Sequence, residues 1–99
     1  MAAKLVFAPE AQQDIDEAYA WYEDRQGGLG EVFLRRVDAC IQAILRRPEL
    51  YPTVHEDYRR ALVRRFPYGV FYESTDDAVI VYCVFHTSCD PEKWRRRLP

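Results

Sequence analysis

Four arginines dominate the part of the chain that could perform chemistry. Arg59 and Arg60, followed by Arg64 and Arg65, lie in a stretch whose imperfect alternation predicts a β-strand over Tyr58–Arg65. The alternation places Arg60 and Arg64 on one face of that strand and Arg59 and Arg65 on the other. Because a planar guanidinium suits phosphate and carboxylate groups, the strand is a candidate anion-binding site. The alternative is an edge strand protected from aggregation by its charge.

The second candidate for chemistry is His86, which directly follows the most apolar run of the chain. Its imidazole could act as a general base, although a lone histidine is more often structural. Ser88 and Asp90 lie close by, but adjacent residues at a strand end cannot converge into a catalytic triad. His55 is distant in the sequence, and no Cys/His cluster has ligand spacing, so no metal is expected. No phosphate loop or dinucleotide fingerprint is present, so no cofactor is expected either.

Aromatic side chains are frequent, at 14% of the chain, and most have spacings typical of core packing. Trp21 is the exception, because it lies off the apolar stripe of its predicted helix. An aromatic side chain left exposed in this way indicates a surface that a partner covers. Stacking of nucleobases on tyrosine or tryptophan beside arginine is an alternative use of such residues.

Length and charge limit the class of protein. A chain of 99 residues with a net charge of −2 is expected to form one domain over residues 1–99, and it does not coat DNA or membranes by bulk charge. Residues 1–34 carry two basic and seven acidic side chains, whereas residues 35–72 carry eight arginines and four acids. The doublets Arg35-Arg36 and Arg46-Arg47 lie in a predicted helix, and we interpret their side chains as solvated rather than as a binding site.

Cysteine usage and hydropathy predict the compartment. Cys40, Cys83 and Cys89 form no CxxC pair, no export signal is recognisable, and no apolar run approaches the roughly 20 residues of a membrane span. We therefore expect a soluble protein of the reducing cytoplasm, without a membrane partner.

The elements that must position these residues follow from hydrophobic periodicity. A short strand over Lys4–Ala8 leads at Pro9 into a helix that runs to about Arg25, and a second helix extends from Leu29-Gly30 to Pro48. A loop is expected over residues 48–57, and strands over 58–65, 68–73 and 78–85. The order β-α-α-β-β-β predicts an α+β domain, with the helical hairpin on one face of a small antiparallel sheet. The opposite face is expected to be open, with a short terminal helix or ordered tail over Asp90–Leu98.

Three segments of the sequence, in this order, resemble the RelE/ParE superfamily of toxins from bacterial type II toxin-antitoxin modules. They are DIDEAYAWYEDR with GGLGEVFLRRV, then RRALVRRFPYGVFYE, then VYCVFHTSCDPEKWRRR. The resemblance implies a toxin that inhibits growth when free, in modules that include plasmid-stabilisation systems. It also implies a cognate antitoxin partner whose disordered part wraps the toxin as helix or strand. The residues expected to bind the antitoxin or the target are Trp21, Arg59, Arg60, Arg64, Arg65, His86, Cys89 and Trp94.

The two branches of the superfamily imply different targets. ParE-like members poison DNA gyrase without catalysis of their own, whereas RelE-like members cleave mRNA on the ribosome without a metal. The His-x-Ser-x-Asp motif resembles the ParE-like branch, so a ParE-like toxin is the favoured interpretation. If the chain is RelE-like instead, its catalytic candidates are Arg60, Arg64, His86 and Tyr82. A protein-binding relative that has lost its toxicity is the third alternative.

One position departs from similar sequences. Where they commonly have arginine, this chain has Cys89. The departure is either natural drift or a substitution that lowers the toxicity of the protein.

Overall fold

The computed structural model describes residues 4–99, which form nine elements of secondary structure. Five are strands: β1 (Lys4–Phe7), β2 (Thr53–His55), β3 (Tyr58–Leu62), β4 (Tyr68–Ser74) and β5 (Ala78–His86). The others are the helices α1 (Pro9–Arg25), α2 (Leu29–Arg46) and α3 (Pro91–Arg97), and a 3-10 turn (Pro48–Leu50). No helix among these residues is long and apolar enough to cross a membrane.

The helical hairpin forms as the sequence predicts. Pro9 occupies the first turn of α1, where its fixed φ is compatible with a helix and its missing N–H costs nothing. Between the helices Gly28 adopts a φ of 90°, which favours glycine. The carboxylate of Glu23 accepts the N–H groups of Gly28 and Gly30, at 2.8 and 2.9 Å, and so satisfies donors at the start of α2.

The α+β fold class is confirmed, but the sheet is mixed rather than wholly antiparallel. Its strand order is β1-β5-β4-β3-β2, and β1 runs parallel to β5 while the other pairs are antiparallel. As predicted, β1 pairs with a later strand and not with its successor. The long connection through both helices allows the parallel orientation, which a tight turn could not provide.

Two predicted boundaries are wrong. The expected loop over residues 48–57 contains the 3-10 turn and strand β2, which pairs with β3 across a tight turn where Glu56 has a φ of 50°. The expected strand over 58–65 ends at Leu62: the Val63 N–H donates to the Tyr68 carbonyl and closes the turn, within which Arg65 adopts a φ of 70°. Positive φ values at residues other than glycine leave no clear sign in the sequence.

Hydrophobic side chains are buried on both faces of the sheet. The larger cluster lies between the hairpin and the sheet and includes Phe33, Ile44 and Tyr72. The opposite face was expected to be open, and this prediction is wrong, because α3 packs Trp94 and Leu98 against Phe71 and Cys83. The terminal helix itself was expected, and Asp90 caps it by accepting the Glu92 N–H at 3.0 Å.

Candidate functional site

A groove lies between α1, the end of β5 and the start of α3. We call it the α1 groove; it has a volume of about 520 Å³ and is lined by Asp14, Glu17, Ala18, Trp21, Tyr22, Tyr68, Val84, Phe85, His86, Cys89 and Lys93. Most of its lining is apolar, with carboxylates along the α1 side. Such a concave surface with a few polar groups is suited to binding.

The groove exists because β1 is shorter than β5. The register of the two strands runs from Lys4 opposite Ala78 to Phe7 opposite Val81, and the chain then turns into α1. Beyond Val81, no strand within residues 4–99 pairs with this edge of β5. Along this edge the Val84 N–H donates to Asp14 and the Tyr82 carbonyl accepts from Arg97, so side chains take the place of a paired strand.

Asp14 holds the inner end of this groove together. Its Oδ2 accepts the Val84 N–H at 3.0 Å, and the Arg97 guanidinium donates to both carboxylate oxygens, at 3.2 and 2.8 Å. Burial raises the pKa of Asp14 above its ordinary value, because lost solvation outweighs the hydrogen bonds from Arg97 and Val84. A single carboxylate therefore joins α1, β5 and α3.

Trp21 stands at the outer end of the groove. Its side chain is 51% exposed, in agreement with its predicted position off the apolar stripe. The Arg25 guanidinium lies 4.0 Å from the ring centroid, and the Tyr22 ring meets it edge-on at 5.1 Å. The indole is thus held in place while much of its apolar surface stays accessible to a partner.

His86 lines the same groove, and its imidazole is hydrogen-bonded to the turn that follows it. Its Nδ1 accepts the backbone N–H of Ser88 at 3.1 Å, and the Ser88 hydroxyl oxygen lies 2.7 Å from the same atom. Both contacts are made to a residue two positions further along the chain, so they hold the imidazole against the turn that follows β5. Nδ1 of His86 is therefore engaged within the chain.

The remaining nuclease candidates lie elsewhere. Arg64, in the turn after β3, lines a separate pocket with Arg36 and Arg46 of α2. Arg60 and Tyr82 line neither this pocket nor the α1 groove. The structure therefore does not bring the four residues together in one of these two cavities.

Arg60 and Tyr82 have local contacts of their own. The aliphatic part of Arg60 lies so close to Gly69 that a Cβ there would approach it to 2.9 Å. The Tyr82 hydroxyl donates to the Glu73 carboxylate at 2.9 Å, and burial together with this hydrogen bond raises the pKa of Tyr82 to about 12. Tyr82 is therefore a neutral phenol whose proton is already engaged.

The other predicted binding residues divide into accessible and internal ones. Arg65 is exposed, and Cys89 is half-buried in the wall of the α1 groove. Arg59 donates to the backbone carbonyls of Tyr51 and Glu49, which fastens the 3-10 turn to the sheet. The Trp94 ring is 7% exposed and stacks on Phe71, with centroids 5.0 Å apart, so it is part of the interior.

Sequence reasoning missed the contact between Asp14 of the groove and Arg97 of α3. Asp14 and Arg97 are 83 positions apart, and Arg97 belongs to a run of three similar arginines. Nothing in the local sequence distinguishes Arg97 from its neighbours, because only the tertiary fold brings it to α1.

Comparison with known proteins is in agreement with this architecture. Toxin ParE2 from two strains of Mycobacterium tuberculosis is 28% identical over 92 residues, which are 92% of this chain and 88% of the relative. A chain from a chromosomal ParDE toxin-antitoxin system of P. aeruginosa has the same fold, with a TM-score of 0.65 at 15% identity. The alignment covers 86% of this chain and 96% of that one.

The family model for the ParE toxin of the type II toxin-antitoxin system parDE matches residues 5–91, which include the hairpin and the whole sheet from Leu5 onward. Both the Asp14 and His86 sides of the α1 groove lie within the matched range. This chain therefore belongs to the ParE family of toxins of type II toxin-antitoxin systems.

Proposed function

We propose that this toxin, when free of its antitoxin, arrests growth in the cytoplasm by poisoning DNA gyrase, and that it performs no catalysis of its own. The observation that carries the proposal is the separation of the four nuclease candidates in a chain of the ParE family. Arg64 lines one cavity, His86 lines another, and Arg60 and Tyr82 line neither.

The chemistry of the individual side chains supports the same proposal. Metal-free RNA cleavage requires a base for the 2′-hydroxyl, a cation for the phosphate and an acid for the leaving group. Nδ1 of His86 is engaged by the Ser88 N–H, and the Tyr82 proton is engaged by the Glu73 carboxylate. The arginines alone supply positive charge, which is sufficient for docking but not for proton transfer.

The antitoxin is proposed to occupy the α1 groove. The mostly apolar lining of the groove can pack against a segment of the antitoxin, and the exposed Trp21 provides an apolar anchor at the outer end. His86 and Cys89 line the wall of the same groove. Occupation of this groove would cover apolar surface that free toxin leaves accessible to water.

Labelled-precursor incorporation in cells tests the target. After the toxin gene is induced without antitoxin, a gyrase poison stops thymidine incorporation before methionine incorporation. An mRNA endonuclease produces the opposite order, which would contradict the proposal. A detoxified relative changes neither rate, and this result would also contradict it. Co-expression of the antitoxin should restore both rates.

A further inference from the structure

Three arginines from two segments of the chain line a second cavity, which shares no lining residue with the α1 groove. Arg36 and Arg46 of α2 and Arg64 of the turn after β3 form its rim, and the cavity has a volume of about 290 Å³. Arg46 lies ten positions after Arg36 in the same helix, so the rim extends about 15 Å along the helix axis. We call this cavity the arginine pocket.

The floor of the arginine pocket is apolar and uncharged. It includes Cys40, Ala43 and Leu62, and the Leu62 side chain is 57% exposed. The Cys40 thiol donates to the Leu62 carbonyl at 3.7 Å, which joins α2 to β3. Burial raises the pKa of Cys40 to about 11, so the floor carries no thiolate at neutral pH.

The positive charge of the rim is not neutralised. Within residues 4–99, no carboxylate oxygen lies within 4.0 Å of a guanidinium nitrogen of Arg36, Arg46 or Arg64. The neighbouring Arg35 and Arg65 add to the same field. Three guanidinium groups without partners, arranged around a concave surface, attract anionic ligands.

We propose that the arginine pocket binds an acidic peptide segment of a partner protein, in which an apolar side chain lies between carboxylates. The carboxylates pair with the three arginines, and the apolar side chain covers Leu62 and Ala43. About five residues of extended peptide span the 15 Å rim, because a strand rises about 3.3 Å per residue. A nucleic-acid backbone could use the rim but would gain nothing from the apolar floor, so the peptide is the better match.

The peptide-binding proposal does not rest on the identity of the target, and the arginine pocket shares no lining residue with the α1 groove. A partner can therefore occupy the arginine pocket while another occupies the groove. A failure of the gyrase assay would leave the peptide-binding result unaffected, and the reverse also holds.

Fluorescence anisotropy with the full chain tests the proposal. The probe is a labelled ten-residue peptide with a central leucine flanked on each side by two glutamates, the remaining positions being glycine and serine. We expect Arg36→Gln and Arg46→Gln each to weaken its binding about tenfold, since each removes charge-assisted hydrogen bonds. The matched control Arg96→Gln removes the same charge from α3, where Arg96 is exposed, and should change affinity less than twofold.

Two further substitutions, one in the peptide and one in the protein, test whether binding requires contact with the pocket floor as well as charge. Replacing the central leucine by serine should weaken binding at least fivefold, because the floor is no longer covered. Ala39→Glu, at an exposed position of the wall, should abolish binding without affecting the fold. Three results would overturn the proposal: no binding of the peptide, an equal loss with Arg96→Gln, or tighter binding of a single-stranded 12-nucleotide DNA than of the peptide.

Discussion

The Asp14 carboxylate on α1 and the Arg97 guanidinium on α3 form a paired contact, with Oδ2 2.8 Å from Nη2, and Asp14 also accepts the N–H of Val84. The two residues stand near opposite ends of the chain. Their contact fixes the terminal helix beside the edge of β5 that lines the α1 groove. The groove therefore depends on a long-range polar contact as well as on packing.

Removal of this carboxylate should destabilise the protein. We expect Asp14→Ala to lower the free energy of unfolding by about 1–3 kcal/mol, because it leaves the Val84 N–H and a partly buried guanidinium without their acceptor. Urea denaturation measures the change. The control Asp24→Ala, at an exposed position, should change the free energy by less than about 0.5 kcal/mol. Equal losses in the two variants would show that Asp14 has no special contribution.

The pH dependence of stability follows from the raised pKa of Asp14. Since this pKa lies above the ordinary 3.8 in the folded chain, folding takes up protons in that range. The contribution of this group favours the folded state below the ordinary pKa and is lost as pH rises through the folded value. Relative to Asp14→Asn, the unsubstituted chain should therefore lose free energy of unfolding as the pH is raised. Urea titrations from about pH 3 to about pH 6 measure this difference, and an increase with pH would contradict the account.

Trp21 should contribute to antitoxin binding but little to folding. We expect Trp21→Ser to weaken binding of the cognate antitoxin at least tenfold, because an exposed indole at a groove is typical of an interface anchor. Isothermal titration calorimetry measures the affinity. Leu50→Ser is the matched control, since Leu50 is 63% exposed and does not line the groove. An equal effect of both substitutions would argue against the α1 groove as the antitoxin site.

Cys89 offers a test of whether toxicity has been reduced. The Cys89 side chain lines the α1 groove, and burial raises the pKa of its thiol, so it supplies no charge there. If the departure from arginine lowers toxicity, Cys89→Arg should arrest growth at a lower inducer concentration, whereas Cys89→Ser should behave like the unsubstituted chain. Equal toxicity of Cys89→Arg and the unsubstituted chain would refute this hypothesis.

Local patterns predicted the elements better than the contacts between them. The spacing of Ala11, Ile15 and Ala18 was sufficient for α1, and all three are buried. Strand β2 was missed because it is only three residues long and its turn depends on a left-handed Glu56. The cover that α3 places over the sheet was also missed, because its position depends on tertiary contacts.

The arginines also show that local patterns predict elements better than tertiary contacts. Alternation correctly separated Arg59 from Arg60, whose side chains contact the 3-10 turn and Gly69, respectively. It failed for Arg64, which leaves the strand and lines a pocket with Arg36 and Arg46. The interpretation of those two helical arginines as solvated agrees with the exposure of Arg46, but helical periodicity could not predict that they line the same pocket as Arg64.

The most direct test of the proposed function is cleavage of supercoiled plasmid by purified DNA gyrase in the presence of the purified toxin. We expect linear plasmid to accumulate after denaturation of the trapped complex, and to disappear when the antitoxin is added first. A parallel reaction with ribosomes and mRNA should give no codon-positioned cuts. Cut mRNA with intact plasmid would contradict the account, and would return Arg60, Arg64, His86 and Tyr82 to consideration as catalytic residues.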